Sequence, residues 1–185
     1  ANAIKTSRSG RPGPVHIAIP FDILNQEVKE RSIPDVKDYN TFTKNLSAKE
    51  KDNLFSEIKK SAKPIIIASP SLSQSRNIDL YRDLFKSINI PVITMASPRG
   101  SNDPTNGRLK EILIKADMII FIDKDIDFTV GFGSNDRLGA KKIIFLADQD
   151  LTIEHAKKML KERISLSYKV DPICAMDSLC GLDYK

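Results

Sequence analysis

The chain has 185 residues, of which 41% are hydrophobic and 29% are charged. This balance is typical of one globular domain and excludes a disordered or fibrous protein. The sequence contains no apolar run near the roughly 20 residues that a membrane-spanning helix needs. The formal net charge of +5 is spread along the chain among acidic residues. We therefore expect neither a membrane nor a nucleic-acid partner.

Few residues are suited to metal binding or disulfide formation. Cys174 and Cys180 stand six residues apart, and His16 and His155 lie far from them in the sequence. This spacing fits neither a zinc site nor a disulfide scaffold, and it predicts a structural role for two reduced cysteines. Because no secretion-signal pattern is present, we expect a cytoplasmic protein. His16 is predicted to be buried or at an interface, and His155 to lie at the surface.

The first 46 residues contain one predicted strand. Gly10-Arg-Pro-Gly-Pro14 predicts a rigid turn, because proline fixes φ and glycine permits tight turns. The apolar run Val15-His-Ile-Ala-Ile19 predicts a short buried strand, which Pro20 ends. Residues 23–46 show little periodicity. Since a loop of that length is unusual inside a compact domain, we interpret them as a linker between domains.

Strands and helices alternate from Ser47 onward. Ser47 and Glu50 have the spacing of a capping box, which predicts a helix ending near residue 61. Periodicity predicts further helices at 73–88, 107–115, 152–160 and 172–182, and strands at 63–68, 91–95, 117–122, 142–146 and 164–168. This alternation predicts an α/β fold with a Rossmann-like doubly wound parallel sheet and helices on both faces.

Four loops follow the carboxyl ends of these strands, where sheets of this kind bind their ligands. They are residues 69–73, 96–106, 123–133 and 147–150. No nucleophile and base can be paired from the sequence, so we identify no catalytic residue.

Common ligand-binding motifs fail along the chain. Gly131-Phe-Gly133 lacks the third glycine of a dinucleotide fingerprint, and no phosphate-binding P-loop motif is present. Asp123, Asp125 and Asp127 have the opening spacing of a calcium loop. The position where such a loop requires glycine holds Phe128, so we interpret the aspartates as a solvated acidic loop.

The run Ser9-Gly-Arg-Pro-Gly-Pro-Val-His-Ile-Ala-Ile-Pro-Phe-Asp22 closely resembles a segment of a known enzyme family. It is similar to the end of the pyrimidine-binding domain in thiamine diphosphate-dependent enzymes of the acetolactate synthase, pyruvate oxidase and oxalyl-CoA decarboxylase superfamily. Weaker similarities follow in the family's order at 63–68, 91–104 and 116–122. The resemblance covers about residues 7–150. It implies that residues 1–22 end an upstream pyrimidine-binding domain, that 23–46 are a linker, and that 47–185 form the central Rossmann-like domain.

This resemblance implies a fragment that is inactive by itself. In the family, the catalytic glutamate lies in the pyrimidine-binding domain, and the Gly-Asp-Gly motif for Mg²⁺ and thiamine diphosphate lies in a third domain. The sequence contains no Gly-Asp-Gly. We therefore expect no catalytic residue, metal or thiamine diphosphate here, and a homo-oligomeric parent transferase or lyase whose other domains are the partners. Two alternatives remain open: a free-standing protein that binds FAD, ADP or NAD, and an assembly module for protein contacts.

Some family members bind FAD or ADP in the central domain, and this chain departs from their pattern. Ser69-Pro-Ser71 replaces three glycines, and Asp123-Lys-Asp125 replaces Gly-Ala-Arg. The two carboxylates repel a diphosphate, and Lys124 offsets this repulsion only in part. We therefore expect FAD or ADP to bind no tighter than about millimolar. The residues left for a weak, vestigial nucleotide site are Ser69, Ser71, Arg99, Gly100 and Lys124 for phosphate contact, and Asp148 and Asp150 as ribose acceptors.

Overall fold

The computed structural model describes residues 2–8, 13–29, 31–39, 43–139 and 142–184. It divides the chain into two compact units, Ala1–Thr43 and Lys44–Lys185. Within the described residues, no helix is both long enough and apolar enough to cross a membrane.

The unit Ala1–Thr43 contains short helices. α1 is Asn2–Arg8, α2 is Phe21–Leu24, and a 3-10 turn at Val36–Tyr39 contacts α1. The strand predicted at 15–19 is wrong for this chain, because residues 13–20 have no regular structure and their side chains are exposed. A strand requires a neighbouring strand for its hydrogen bonds, and the described part of this unit forms none. His16 is exposed, so a buried position is wrong, while the alternative of an interface position stays a prediction. Most of the turn predicted at 10–14 lies outside the described residues.

The unit Lys44–Lys185 is built on a five-stranded sheet. Its strands are β1 Pro64–Ala68, β2 Val92–Thr94, β3 Met118–Ile122, β4 Lys142–Ala147 and β5 Ile164–Lys169. All pairings are parallel and the order is β2-β1-β3-β4-β5. The helices are α3 Ala48–Lys59, α4 Ile78–Ser87, α5 Leu109–Lys115, α6 Asp150–Leu160 and α7 Pro172–Leu179. The sequence prediction of a doubly wound parallel sheet is confirmed.

Both faces of the sheet are covered, which explains why its central strands are continuously apolar. Ile66 of β1 and Ile120 of β3 lie in a cluster with residues of α3, α4 and α7. Their neighbours Ile67 and Phe121 point to the opposite face, among residues of α5 and α6. The alternation of side chains along each strand therefore gives the sheet two separate cores.

Helix α3 begins where the capping box predicts. The Ser47 hydroxyl accepts from the Glu50 amide at 3.3 Å, and the Glu50 carboxylate accepts from the Ser47 amide at 2.8 Å. Helix α4 begins five residues later than predicted, because residues 74–76 form a turn first, in which the Arg76 amide donates to the Ser73 carbonyl at 3.0 Å. The Asn77 side-chain amide then donates to the carbonyl of Ser73 at 3.2 Å and so holds the chain in a non-helical turn before Ile78.

Cys174 and Cys180 lie at the two ends of α7, as half-buried free thiols. Both pack against the core of the face that carries α3, α4 and α7. Burial raises the pKa of both thiols, and nearby carboxylates raise it further. This environment keeps the sulfur protonated and unreactive at neutral pH.

Candidate functional site

The candidate site lies at the carboxyl edge of the sheet, between β1 and β3. The strand order reverses at this point, because β2 lies on the other side of β1 from β3. A doubly wound sheet opens its ligand crevice at this point, because the loops after these two strands diverge to opposite faces. Here a short polar network joins the two loops. The buried Ser69 hydroxyl donates to Asp123 at 3.2 Å and lies 2.5 Å from the Ser71 hydroxyl. The backbone continues the sheet, since the Ser69 amide donates to the Ile122 carbonyl at 3.0 Å.

Lys124 is buried, and its ammonium group donates to two acceptors of its own loop. It donates to a carboxylate oxygen of Asp127 and to the carbonyl of Asp125, each at 2.8 Å. Burial raises the pKa of Asp127, but hydrogen bonds from Lys124 and Thr129 outweigh that effect and leave this pKa lowered. The sequence predicts Lys124 as a cation for a phosphate, but Asp127 neutralises its charge within the loop.

The loops after β2 and β3 are packed directly against each other. Gly100 has φ of +58°, and a Cβ at this position would lie 2.2 Å from the carbonyl oxygen of Thr129. Only glycine allows this approach. The Gly100 amide donates to the Ser97 carbonyl at 3.0 Å, so it does not point freely into the crevice. Arg99, the residue before Gly100, is exposed.

The loop after β2 is also held by a buried carboxylate. Asp103 accepts hydrogen bonds from the Ser97 hydroxyl and, at 2.9 and 2.8 Å, from the amide and hydroxyl of Thr105. These donors lower the pKa of Asp103 to about 2, with the Ser97 hydroxyl the largest cause. This carboxylate is ionised at neutral pH and serves to fix the turn.

Asp148, at the carboxyl end of β4, has an unusual environment. Its Oδ1 atom is buried and has no hydrogen-bond partner in the described structure. Burial raises the pKa of Asp148, and the negative charge of Asp171 raises it further, while Lys169 lowers it. Asp150, two residues later, is exposed and forms an ion pair with Lys169.

The predicted site residues therefore separate into three groups. Ser69 and Ser71 form one network, Gly100 is packed against the loop that carries Lys124, and Asp148 and Asp150 lie beyond β4. The Ser69 network reaches the loop that carries Lys124 through Asp123.

Sequence reasoning missed the structural role of Thr129. Asp127 accepts from both the amide and the hydroxyl of Thr129, in the same way that Asp103 accepts from Thr105. The signal was present as a repeated Asp-x-Thr pattern, which is typical of side-chain caps on tight turns.

The donor set does not suit a metal. In the part of the chain that the structure describes, no group of three or more His, Cys, Asp and Glu side chains is arranged to hold an ion.

Comparison with known proteins indicates a relationship to one class of enzyme. No protein-family model matches the chain. The acetolactate synthase large subunit of Lactococcus lactis subsp. lactis is 33% identical over 90 residues, covering 48% of this chain and 16% of the relative. The same subunit of Buchnera aphidicola subsp. Acyrthosiphon pisum is 30% identical over 138 residues, covering 70% of this chain and 24% of the relative. The chain is related in sequence to part of the acetolactate synthase large subunit.

The chain spans less than a quarter of the length of these curated relatives. Solved structures agree on the fold. Benzoylformate decarboxylase from Polynucleobacter necessarius superposes with a TM-score of 0.64 at 16% identity, over 95% of this chain and 34% of that one. A Mycobacterium smegmatis protein described as thiamin diphosphate-dependent superposes with a TM-score of 0.55 at 12% identity, over 86% and 31% of the two chains. The chain thus has the fold of a domain of thiamin diphosphate-dependent enzymes.

Proposed function

We propose that this chain is the central, non-catalytic domain of a thiamine diphosphate-dependent enzyme of the acetolactate synthase type. The observation that carries the proposal is the 30% identity to an acetolactate synthase large subunit over 138 residues, which cover most of this chain and a quarter of the relative. A doubly wound sheet of this size supplies a rigid scaffold, and function on such a sheet depends on the site that the loops build. In this proposal the reaction depends on the parent's other domains, on thiamine diphosphate and on Mg²⁺.

The division of the chain supports a multidomain parent. We propose that residues 1–22 end an upstream domain, that 23–46 are a linker and that 47–185 are the central domain. The structure's own boundary lies at Thr43, close to the end of this linker. Ile17 and Ile19 are 62% and 56% exposed, and such apolar side chains on an unpaired segment suit contact with another domain. The parent is proposed to be a cytoplasmic homo-oligomer.

The geometry at the carboxyl edge supports a vestigial nucleotide site. Phosphate capture at this edge needs free amide groups and a local cation. Pro70 has no amide hydrogen, the Gly100 amide is used by Ser97, and the Lys124 ammonium is used by Asp127. Arg99 remains as an exposed cation. A single exposed cation contributes little affinity, so we propose that the domain holds neither FAD nor ADP.

One observation favours a second candidate, a nucleotide-binding protein of similar fold. The buried Asp148 Oδ1 has no partner in the described structure and follows the carboxyl end of β4, and this candidate assigns it a ribose hydroxyl as its donor. Filling such an acceptor contributes binding free energy, because an unsatisfied buried group is costly. This candidate makes the opposite prediction for nucleotide affinity.

Isothermal titration calorimetry with ADP and FAD separates the two candidates. The scaffold proposal predicts dissociation constants of about 1 mM or weaker, roughly −4 kcal/mol, that change less than twofold in Arg99→Ala. Arg82→Ala, which removes an exposed arginine from α4, is the matched control. The nucleotide-binding candidate predicts a micromolar dissociation constant that rises in Arg99→Ala and in Asp148→Asn but not in Arg82→Ala. That result would contradict the scaffold proposal.

Catalysis is tested separately. The chain is incubated with pyruvate, thiamine diphosphate and Mg²⁺, and we expect no acetolactate and no CO₂ above the level of the cofactor alone. Turnover that requires the protein would contradict a non-catalytic domain.

A further inference from the structure

A cavity of about 400 Å³ lies at the opposite edge of the sheet from the nucleotide crevice. It is formed where β1 and β3 begin, between the end of α5 and the segment that leads into β2. Its apolar lining is Pro64, Ile65, Pro91, Ile112 and Ala116. The volume is in the range of pockets that bind small molecules, and such pockets are mostly apolar with a few polar groups.

Two lysines give this cavity a positive charge. Lys63 and Lys115 both line it, and both are exposed at its rim. Neither ammonium forms a salt bridge with another described residue. The remaining polar lining residues, Asn89 and Tyr184, are uncharged at neutral pH.

The acidic groups nearest in sequence are already engaged. Asp117 accepts from the amides of Ala62 and Lys63 at 2.8 and 2.9 Å, and from the Ser61 hydroxyl. Burial raises the pKa of Asp117, but these hydrogen bonds outweigh it and leave the pKa lowered. Glu111, one turn before Lys115, is bound by Arg108, which lowers its pKa, and the charge of Lys115 adds a smaller lowering.

The wall beside Tyr184 is fixed in place. The Tyr184 hydroxyl donates to the Ser61 carbonyl at 2.9 Å, and Tyr184 pairs with Ile88 in a parallel bridge. Asp117 holds the turn at 61–63 from the other side. The cavity is therefore built from hydrogen-bonded backbone, and a ligand would meet a largely pre-formed site.

We propose that this cavity binds a small organic anion, namely a single carboxylate carried on a compact aryl or acyl group. The apolar group lies against Pro64 and Ile112, and the carboxylate lies at the rim between Lys63 and Lys115. Charge complementarity selects this occupant over a neutral one, because no described carboxylate lies within salt-bridge distance of either ammonium group. The site is separate from the carboxyl edge, so it does not depend on whether the nucleotide crevice is active.

Benzoate is the probe, and benzyl alcohol is its neutral counterpart of nearly the same size. Each is titrated into the full ¹⁵N-labelled chain while amide chemical shifts are followed. We expect benzoate to shift the amides of Lys63, Lys115 and Tyr184, and to bind at least tenfold more tightly than benzyl alcohol. Two results would overturn the proposal. One is equal affinity for benzoate and benzyl alcohol, and the other is the absence of shifts at these amides with 20 mM benzoate.

A paired variant tests the two cations. Lys63→Gln/Lys115→Gln should weaken benzoate at least tenfold and leave the binding of benzyl alcohol within twofold, which shows that the cavity is still formed. Lys86→Gln/Lys110→Gln is the control, because it removes the same charge from exposed positions outside the lining. Equal weakening by both variants would contradict a local charge effect. Concentration-dependent broadening of the same amides without benzoate would assign the cavity to an interface between copies and overturn the proposal.

Discussion

Replacing Lys124 tests whether its charge is structural. In Lys124→Met the side chain keeps its volume but loses the ammonium group, so Asp127 loses the 2.8 Å ion pair. Breaking a buried pair by removing one partner costs about 3–5 kcal/mol. The Asp127 side chain is 36% exposed, so water compensates part of the loss. We therefore expect the free energy of unfolding to fall by about 2–3 kcal/mol.

Urea denaturation followed by circular dichroism measures this change. The control is Lys142→Met, which breaks a surface pair with Glu57 and should cost less than about 1 kcal/mol. The double variant Lys124→Met/Asp127→Asn should recover at least about 1 kcal/mol, because it removes both charges together. A loss below about 1 kcal/mol in Lys124→Met, or no recovery in the double variant, would refute the view that this lysine is committed to the loop.

Three further predictions concern turns and caps. Gly100→Ala should lower the free energy of unfolding by at least about 2 kcal/mol, because its Cβ meets the Thr129 carbonyl. Gly181→Ala, whose Cβ would make only ordinary contacts, should change it by less than about 1 kcal/mol, and equal losses in urea denaturation would argue against the close packing of the two loops. Ser47→Ala should lower the free energy of unfolding by about 1 kcal/mol, because the α3 capping box is lost. Ser56→Ala, on the exposed face of the same helix, should change it by less than about 0.5 kcal/mol, and similar values for both variants would count against the cap. The Asp103 carboxyl should titrate near pH 2 by NMR. The stability that it contributes is therefore complete above the ordinary aspartate pKa and is lost as the pH falls from about 4 towards 2. A midpoint near 4 would contradict the hydrogen bonds from Ser97 and Thr105.

The strands of the sheet were predictable because burial on both faces leaves a simple pattern. β1 and β3 are uninterrupted apolar runs, and the structure reproduces both within one residue of the prediction. The start of α3 was predictable for a local reason too, since the residues of its capping box are three apart in sequence. Patterns of this kind depend only on near neighbours.

Features that depend on distant neighbours were not predictable. The run 15–19 has the composition of a strand, but a strand forms only where another strand pairs with it. Ile78 and Phe85 continue the apolar pattern of α4, yet they are 58% and 53% exposed, because the core contacts of that helix lie at Tyr81 and Leu84.

The polar contacts of the candidate site were equally hidden. Ser69 and Asp123 are 54 residues apart in sequence and meet only because β1 and β3 are adjacent in the sheet. The sequence identified Lys124 as a cation near the crevice, but burial and the ion pair with Asp127 follow from the turn that Thr129 stabilises. Assignment of a site from loop composition alone therefore overestimates the charge that is available to a ligand.

We propose that this chain is the middle domain of a larger thiamine diphosphate-dependent enzyme. The test is to determine the gene sequence on both sides of the segment that encodes this chain. We expect a pyrimidine-binding domain with the catalytic glutamate upstream of Ala1, and a Gly-Asp-Gly motif followed by asparagine downstream of Lys185. A start codon immediately before Ala1 together with a stop codon immediately after Lys185 would contradict this proposal.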